Sequence, residues 1–288
     1  IPISTYGKRE IIRRLRFAYQ VFDRDLTAYL GDGNSYSHAA AVRLAGGALK
    51  GYGTLQAVLA AVGTECGAAV LPVENNVEGA VNEVYDALFD SELYIDSQLV
   101  LPVQHSLIAA DGVKIGDIRR VVSHPQAIAQ CRRFLGELGV PVMSAASTSA
   151  ALKLVDGETA AVAFRPCDGQ IALASGIQDS ALNATRFALL SPVMSDRGAT
   201  VSVAFDLLDE PGALVTALKT LYDRNVNMTR ILSRPHRSGD GQYRFFVDFD
   251  FEGSGDELGA ALSELKRCCT AFRFLGRYDC AHADDGNK

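Results

Sequence analysis

The sequence contains no hydrophobic run approaching the ~18 residues that a membrane span requires, so no membrane association is expected. It also lacks an excess of positive charge, since 28 Lys and Arg residues stand against 34 Asp and Glu residues, for a net charge of −6. Such an acidic chain is a poor candidate for nucleic-acid binding, and any anion site must be built locally. The composition, 48% hydrophobic and 22% charged over 288 residues, is that of a folded protein with about two domains.

Several motifs of common catalytic and metal sites are missing as well. The six cysteines form no CxxC pair and no two histidines have metal-ligand spacing, so we expect reduced thiols of the cytoplasmic type. No secretory signal is visible, and a cytoplasmic location is expected. There is no P-loop, HExxH or GxSxG. The stretch 31–36, GDGNSY, has Tyr36 where a dinucleotide-binding fingerprint needs its third glycine.

The chain divides into two folded regions with shorter segments around them. Residues 27–190 alternate strand and helix signals, including a helix over 168–175, and predict an α/β domain with largely parallel sheets. Residues 200–280 follow the order βαββαβ, the ferredoxin-like arrangement, whose exposed sheet favours pairing with a second copy. The remaining segments are an extension at 1–26 with a basic amphipathic helix over 8–22, a linker at 191–199 and a tail at 281–288.

Four strand-to-helix junctions of the α/β region place small polar residues at the start of a helix. They lie at 31–38, 72–79, 123–126 and 146–150. Helix capping explains any one of them, but in open α/β sheets such junctions meet at the carboxyl ends of the strands, where ligands bind. A fifth segment, 183–187 (NATRF), adds a hydroxyl and a guanidinium suited to a carboxylate.

Taken together, these motifs resemble those of the prephenate dehydratase family with a C-terminal ACT regulatory domain. They occur in family order as YLGDGNSYSHAA (29–40), PVENNVEGAVNEVYDAL (72–88), SHPQAIAQC (123–131), STSAA (147–151), IQDSALNATRF (177–187), GAL (212–214) and SRP (233–235). The resemblance implies an α/β catalytic domain with two lobes of the periplasmic-binding-protein type, followed by the ferredoxin-like ACT domain. The second lobe is expected at about 105–175, with the chain returning to the first lobe before Thr185.

The resemblance also implies the reaction and the residues that serve it. Prephenate loses carbon dioxide and water to give phenylpyruvate, and because aromatisation drives the reaction, neither a metal nor a redox cofactor is expected. Thr185 is placed at the leaving hydroxyl as a hydrogen-bond donor, since threonine is too weak an acid to give up its proton; Glu74 and His124 are candidates for the proton source behind it. The implied substrate-binding residues are Ser35, Asn75, Asn76, Gly79, Ser123, His124, Gln126, Gln130, Ser147, Thr148, Arg186 and Phe187.

The ACT resemblance implies feedback control, with phenylalanine as the expected effector, in a homodimer or homotetramer. The implied regulatory residues are Gly212, Ala213, Leu214, Leu232, Ser233, Arg234 and Pro235. Two positions depart from the family pattern: Asn76 replaces a frequent serine, and Leu232 replaces a glutamate, which predicts weakened control. Because the five polar segments all precede the linker, the chemistry is expected not to need the ACT domain.

Two other functions remain open. Arogenate dehydratase performs the same chemistry on the amino-bearing analogue of prephenate, and no feature of the sequence discriminates between the two substrates. A noncatalytic two-lobed binding protein would keep the cleft, although a pure binder has no need for a hydroxyl beside Arg186. We expect an enzyme that acts on prephenate.

Overall fold

The computed structural model describes residues 23–180, 182–235 and 242–282. The helix predicted over 8–22, most of the extension at 1–26 and most of the tail at 281–288 lie outside the described residues. Among the residues that the structure describes, no helix is both long and apolar enough to span a membrane.

The first lobe is built on a twisted sheet with strand order β2-β1-β3-β11-β5, in which β11 runs antiparallel to both neighbours. The central strand β3 is buried along most of its length, which explains its near-continuous apolar sequence. The elements of this lobe are β1 (Asp23–Leu30), α1 (Tyr36–Leu44), β2 (Ala48–Tyr52), α2 (Leu55–Ala61), β3 (Cys66–Asn75), β4 (Gly79–Ala80), α3 (Asn82–Asp90), β5 (Tyr94–Pro102) and the returning β11 (Ala184–Ser191).

The second lobe is inserted between β5 and β11 and has its own sheet, with strand order β10-β6-β9-β7-β8. Its elements are β6 (Ser106–Ala110), a 3₁₀ turn (Ile115–Asp117), β7 (Arg120–Ser123), α4 (Pro125–Gln130), α5 (Arg132–Leu138), β8 (Val142–Ser144), α6 (Thr148–Leu152), β9 (Thr159–Ala163) and β10 (Gln170–Ser175). The helix predicted over 168–175 is wrong, because β10 occupies most of that segment. Ile171 and Leu173 alternate at the period of a strand, and antiparallel pairing with β6 overrides the helical preference of the neighbouring alanines.

The C-terminal region forms the expected ferredoxin-like βαββαβ module, with strand order β13-β14-β12-β15. Its elements are β12 (Thr200–Leu207), α7 (Ala213–Tyr222), β13 (Asn227–Pro235), β14 (Tyr243–Asp250), α8 (Gly255–Arg267) and β15 (Ala271–His282). The two-lobed α/β architecture and the second, ferredoxin-like domain predicted from the sequence are thus confirmed. The prediction of largely parallel sheets is wrong, because β11 and β6 pair antiparallel with both of their neighbours and make both sheets mixed.

The C-terminal domain is joined to the first lobe through a shared sheet and a shared core. The end of β15 pairs in parallel with β5, from Asp279 opposite Ser97 to His282 opposite Val100. A core cluster that contains Tyr85 and Ile95 of the first lobe also contains Phe246 of the C-terminal domain. The C-terminal domain therefore packs directly on β5 and on α3, the helix that follows the polar junction at 72–79.

Gly276 permits the close approach of β15 to β5, and we predict that replacing it destabilises the fold. Its φ of +151° lies outside the range that L residues favour, and a Cβ there would lie 2.3 Å from the carbonyl oxygen of Ile95. Gly276→Ala is expected to lower the free energy of unfolding by about 1–3 kcal/mol, as overpacking does. Gly259→Ala, at an open position of α8, is the control and is expected to stabilise by about 0.5–1 kcal/mol. Denaturant titration measures both, and an unchanged Gly276→Ala midpoint would contradict the prediction.

Candidate functional site

The junction after β1 is held in shape by its own serine. Ser35 begins α1 as its N-cap, where its hydroxyl accepts from the amide of His38 at 3.1 Å and donates to the carbonyl of Asp32 at 2.7 Å. The side chain of Ser35 is therefore engaged within the loop. Its role is to present the loop and the first turn of α1 to the second lobe.

The junction after β3 is organised by Asn75. Its Oδ1 accepts from the amides of Val77 and Glu78 at 3.0 and 3.1 Å, which shapes the loop before α3. Its Nδ2 donates to Thr185 Oγ1 at 2.9 Å and to Asn183 Oδ1 at 2.8 Å. A threonine hydroxyl has one proton to donate. Because the Thr185 oxygen accepts from Asn75, that proton is left for a ligand.

Asn76 and Gly79 shape the same loop. The side chain of Asn76 accepts from the amide of Ala184 at 2.9 Å and donates to the carbonyl of Leu182, so it braces the start of β11. Gly79 adopts a positive φ of 87° and pairs back to Asn75 through β4. Both residues therefore support the site by fixing the backbone around Asn75 and the start of β11.

In the second lobe, the polar residues at the junctions are engaged as caps or structural bonds. The buried hydroxyl of Ser123 donates to the carbonyl of Val162 at 2.6 Å. His124 caps α4 through Nδ1, which accepts from the amide of Gln126 at 3.3 Å, and Ser147 caps α6, whose first residue is Thr148, by accepting from the amide of Ala150 at 2.9 Å. These bonds fix the helix starts that face the first lobe.

Junctions of the two lobes contact each other directly. Ser149 Oγ donates to Asp32 Oδ1 at 2.9 Å, which joins the start of α6 to the loop before α1. Gln126 Nε2 donates to Glu78 Oε1, which joins the start of α4 to the loop before α3. The four polar junctions therefore meet in two pairs at the boundary between the lobes.

Arg165 contributes a cation to this cleft that the sequence analysis did not single out. It follows β9 and donates through Nη2 to the carbonyl of Gly33 and to His38 Nδ1, both at 2.7 Å. Burial, and then the charge of Arg165, lower the pKa of His38, so this imidazole is the neutral acceptor. Beside it, the rings of Phe164 and Tyr36 stack with centroids 4.2 Å apart. Arg165 follows the carboxyl end of the predicted strand at 159–164, and that position could have indicated a ligand-binding role.

Glu74, Arg186 and Phe187 do not reach the cleft. Successive side chains of a strand point to opposite faces, and Glu74 and Arg186 lie across from each other on the face away from Asn75 and Thr185. Glu74 Oε2 lies 3.8 Å from Arg186 Nε, and Arg186 Nη1 donates to Gln98 Oε1 at 3.4 Å. Phe187, 1% exposed, packs in the core beneath α1. The geometry does not support Glu74 as an acid behind Thr185 or Arg186 as a substrate ligand.

Gln130 belongs to the connection between the lobes. Its Oε1 lies 2.7 Å from Nε2 of the buried His105, which directly precedes β6, and its carbonyl accepts from the amide of Asp179 at 2.7 Å. Asp179 in turn accepts from the amides of Arg132 and Arg133 at the start of α5. Gln130 thus holds together the segments around His105 and Asp179, where the chain passes between the lobes. In the part of the chain that the structure describes, no cluster of three His, Cys, Asp or Glu residues could hold a metal ion.

Four of the implied regulatory residues lie on β13 and are divided between its two faces. Leu232 packs against the core shared with the first lobe, and Arg234 Nη2 lies 2.9 Å from Asp86 Oδ2 on α3. Ser233 and Pro235 are exposed. Gly212 adopts a φ of 86° before α7, whose first two residues are Ala213 and Leu214. Leu232 therefore faces the first lobe, on the side opposite Ser233.

The comparisons with known proteins agree with this architecture. Residues 27–195 match the sequence model of the family described as prephenate dehydratase, and residues 201–270 match that of the ACT domain. The chain belongs to the prephenate dehydratase family. The resemblance inferred from the motifs is confirmed, and the C-terminal module is an ACT domain.

Two relatives and two solved structures show the range of the similarity. The chain is 37% identical over 277 residues to prephenate dehydratase of Amycolatopsis methanolica, covering 89% of this chain and 88% of the relative. It is 37% identical over 235 residues to arogenate dehydratase 2 of Petunia hybrida, covering 73% of this chain. A structure of prephenate dehydratase from Arthrobacter aurescens in complex with L-Phe has a TM-score of 0.79 at 31% identity, covering 91% of this chain and 92% of that one. GqqA, described as a novel type of quorum quenching acylase, has a TM-score of 0.78 at 28% identity, covering 88% and 97%.

The match to the plant members is partial on their side. The chain spans about 60% of the length of the Petunia arogenate dehydratase and a similar share of two Arabidopsis thaliana relatives. Prephenate dehydratases, arogenate dehydratases and an acylase thus share the fold, so membership of the family does not by itself fix the substrate.

Within the prephenate dehydratase domain, we predict that the hydroxyl of Ser123 stabilises the fold through its bond to Val162. Ser123→Ala leaves the buried carbonyl of Val162 without this donor, which is expected to lower the free energy of unfolding by about 1–3 kcal/mol. Ser147→Ala, which removes only an exposed cap, is the comparison and is expected to cost about 0.5–2 kcal/mol. Thermal denaturation measures both, and a Ser123→Ala protein with the wild-type melting temperature would show that its hydroxyl is free for a ligand.

Proposed function

We propose that this protein is a prephenate dehydratase, which converts prephenate to phenylpyruvate, carbon dioxide and water. The observation that carries the proposal is the hydrogen bond from Asn75 to Thr185, which leaves the threonine proton available at a cleft between two lobes. Membership of the family supports the reaction class. The experiment is to incubate the protein with prephenate and follow the appearance of phenylpyruvate.

The reaction needs a group that stabilises the departing hydroxide. The carbon–carbon bond between the ring and its carboxylate breaks, which releases carbon dioxide and leaves the electron pair in the ring. The hydroxyl on the opposite ring carbon then leaves and takes a proton to become water. Thr185 serves this step by donating a hydrogen bond to the leaving oxygen, while Asn75 orients the threonine. The hydroxyl is too weak an acid to transfer its proton outright near neutral pH, so Thr185 stabilises the departing hydroxide by a hydrogen bond, and the reaction takes up one proton from solution to form water.

The substrate is a dianion, and Arg165 is the residue best placed to bind one of its carboxylates. Its guanidinium has five N–H donors and already bridges the two lobes at Gly33 and His38. A carboxylate bound there would contact both lobes and favour the closed cleft. A local cation of this kind also explains how a chain with a net charge of −6 binds an anion.

Arogenate dehydratase is the second candidate, because curated plant relatives bear that name. Arogenate differs from prephenate at the side-chain carbon, away from the leaving hydroxyl, so the Asn75–Thr185 pair serves both substrates equally. A side-by-side assay of the two substrates decides between them. A protein that binds both without turnover would be the noncatalytic two-lobed binder.

We predict that Thr185→Ala lowers kcat by roughly 10²–10⁴ while KM changes much less. A donor to the leaving oxygen acts mainly in the transition state, and assistance of this kind is worth about that much. Thr185→Ser, which keeps the hydroxyl, is the matched control and is expected to retain most of the activity. Steady-state kinetics measure both variants, and near wild-type kcat in Thr185→Ala would remove the hydroxyl from the mechanism.

We also propose that the ACT domain pairs with a second copy and binds phenylalanine. Strand β13 is an edge strand that exposes Ile231 and Ser233, a surface that pairing would cover. The related Arthrobacter structure holds L-Phe. Gly212, in a left-handed conformation, begins the ten-residue α7, where backbone N–H groups suit a carboxylate.

Phenylalanine is expected to bind and to slow the dehydratase reaction. Gly212→Ala places a side chain in the left-handed region at a strain of about 1–2 kcal/mol. If the free protein relieves that strain by moving the start of α7, regaining the geometry on binding costs that much and weakens binding roughly fivefold to thirtyfold. Gly259→Ala on α8 is the control. Calorimetry alongside the kinetic assay measures both effects. An absence of binding at millimolar phenylalanine would leave the ACT domain with a structural role only.

A further inference from the structure

The strand pair that carries Thr185 has a second, charged face. Thr185 lies opposite Asn75, and the next position places Arg186 opposite Glu74. Side chains alternate along a strand, so the first pair faces the cleft and the second faces the ACT domain. Any force on Glu74 or Arg186 therefore acts on the backbone that presents the proposed catalytic hydroxyl.

A residue of the ACT domain holds this second face. Arg230 on β13 places Nε 3.1 Å from Glu74 Oε2, closer than the 3.8 Å between Glu74 and Arg186. Nη1 of Arg230 also donates to the hydroxyl of Tyr85, and the guanidinium carbon lies 4.8 Å from the centre of that ring. The side chain of Arg230 is only 11% exposed. It is thus fixed from several directions between the two domains.

The charges around Arg230 balance within a cluster of Glu74, Arg186, Arg230 and Asp248, in which Arg230 and Asp248 are largely buried and Glu74 and Arg186 are partly exposed. Asp248 Oδ2 lies 3.8 Å from Arg230 Nη1, and Asp248 also accepts from the hydroxyl of Ser202. Burial raises the pKa of Asp248. Loss of one cation from such a cluster leaves the remaining charges uncompensated, so they rearrange toward other partners or water. Without Arg230, the end of β3 loses the contact that fixes it from behind.

We propose that Arg230 is a positioning residue for the dehydratase reaction. By holding Glu74, it fixes the end of β3 so that Asn75 keeps the Thr185 hydroxyl directed into the cleft. This inference rests on the proposed function. It gives the ACT domain a part in the basal reaction, in place of the expectation that the segments before the linker suffice.

The competing explanation is that Arg230 merely holds the two domains together, and Arg244 provides the matched comparison. Arg244, on the neighbouring strand β14, binds Asp206 at 2.8 and 2.9 Å, lies 3.6 Å from Asp90 of α3 and covers the ring of Phe89. It therefore joins the same domains at the far end of α3. None of these contacts involves β3 or β11.

Kinetics of single variants separate the two explanations. Arg230→Gln is expected to lower kcat by roughly 10–100-fold with a much smaller change in KM, because small displacements of a reacting geometry cost about that much. Arg230→Lys restores a cation next to Glu74 and is expected to recover most of the loss. Arg244→Gln is expected to keep the wild-type kcat. Unchanged kcat in Arg230→Gln, or an equal loss in Arg244→Gln, overturns the proposal.

A double-mutant cycle tests the route through Glu74. If Arg230 acts by holding Glu74, then Glu74→Gln and Arg230→Gln lower kcat by similar factors, and the double variant is no worse than either. If Glu74 instead supplies a proton, Glu74→Gln lowers kcat further in the presence of Arg230→Gln. Full additivity of the two losses therefore overturns the proposal.

One readout is independent of turnover. The amides of Val77 and Glu78 donate to Asn75, so Arg230→Gln is expected to speed their hydrogen exchange, whereas Arg244→Gln leaves it unchanged. Equal exchange in Arg230→Gln and wild type overturns the inference whatever the activity. A wild-type protein inactive on prephenate and arogenate is instead the failure of the proposed function, and the exchange measurement tells the two failures apart.

Discussion

The hydrogen bond between Asn75 and Thr185 depends on the whole arrangement of the first lobe. It forms only because β11 returns from the second lobe and inserts antiparallel between β3 and β5, which brings position 185 opposite position 75. The side-chain amide of Asn75 bonds through both of its polar atoms: Oδ1 accepts from the loop before α3, and Nδ2 donates to Thr185 of β11. A shift of β11 by one residue would turn Thr185 away from the cleft and bring Arg186 into it. The register of one strand pair therefore determines which chemistry the cleft contains.

The same alternation explains why Glu74 and Arg186, the ionisable residues next to Asn75 and Thr185 in their strands, do not share a face with them. Glu74 and Arg186 are flanking residues in the two strands, and on a strand a flanking position is the opposite face. That face is covered by the ACT domain, whose β13 and β14 supply Arg230 and Asp248. The family resemblance made Glu74 a candidate acid for the reaction. Burial against the second domain makes it part of an ion-pair cluster.

The sequence predicted those features that depend on local chemistry. Ser35, His124 and Ser147 are the caps that their positions before helices indicate, and the polar junctions meet where the ends of parallel strands meet. Arg165 was missed because its role depends on the distance to a loop 132 positions away. The helix predicted over 168–175 is wrong for a related reason, since pairing with β6 decides the conformation of that segment.

Strand β13 has two faces with different surroundings, one in contact with the first lobe and the other exposed. Arg230, Leu232 and Arg234 face the first lobe, where they contact Glu74, the shared core and Asp86, while Ile231 and Ser233 are exposed. An effector or a second subunit on the exposed face changes the reaction only if it binds more tightly to one placement of β13 relative to the first lobe than to another. The opposite face would then transmit that preference, because a shift of β13 alters the contact between Arg230 and Glu74, which precedes Asn75. In the proposed control, Leu232 would act through the fit between the domains, because it packs against the core shared with the first lobe.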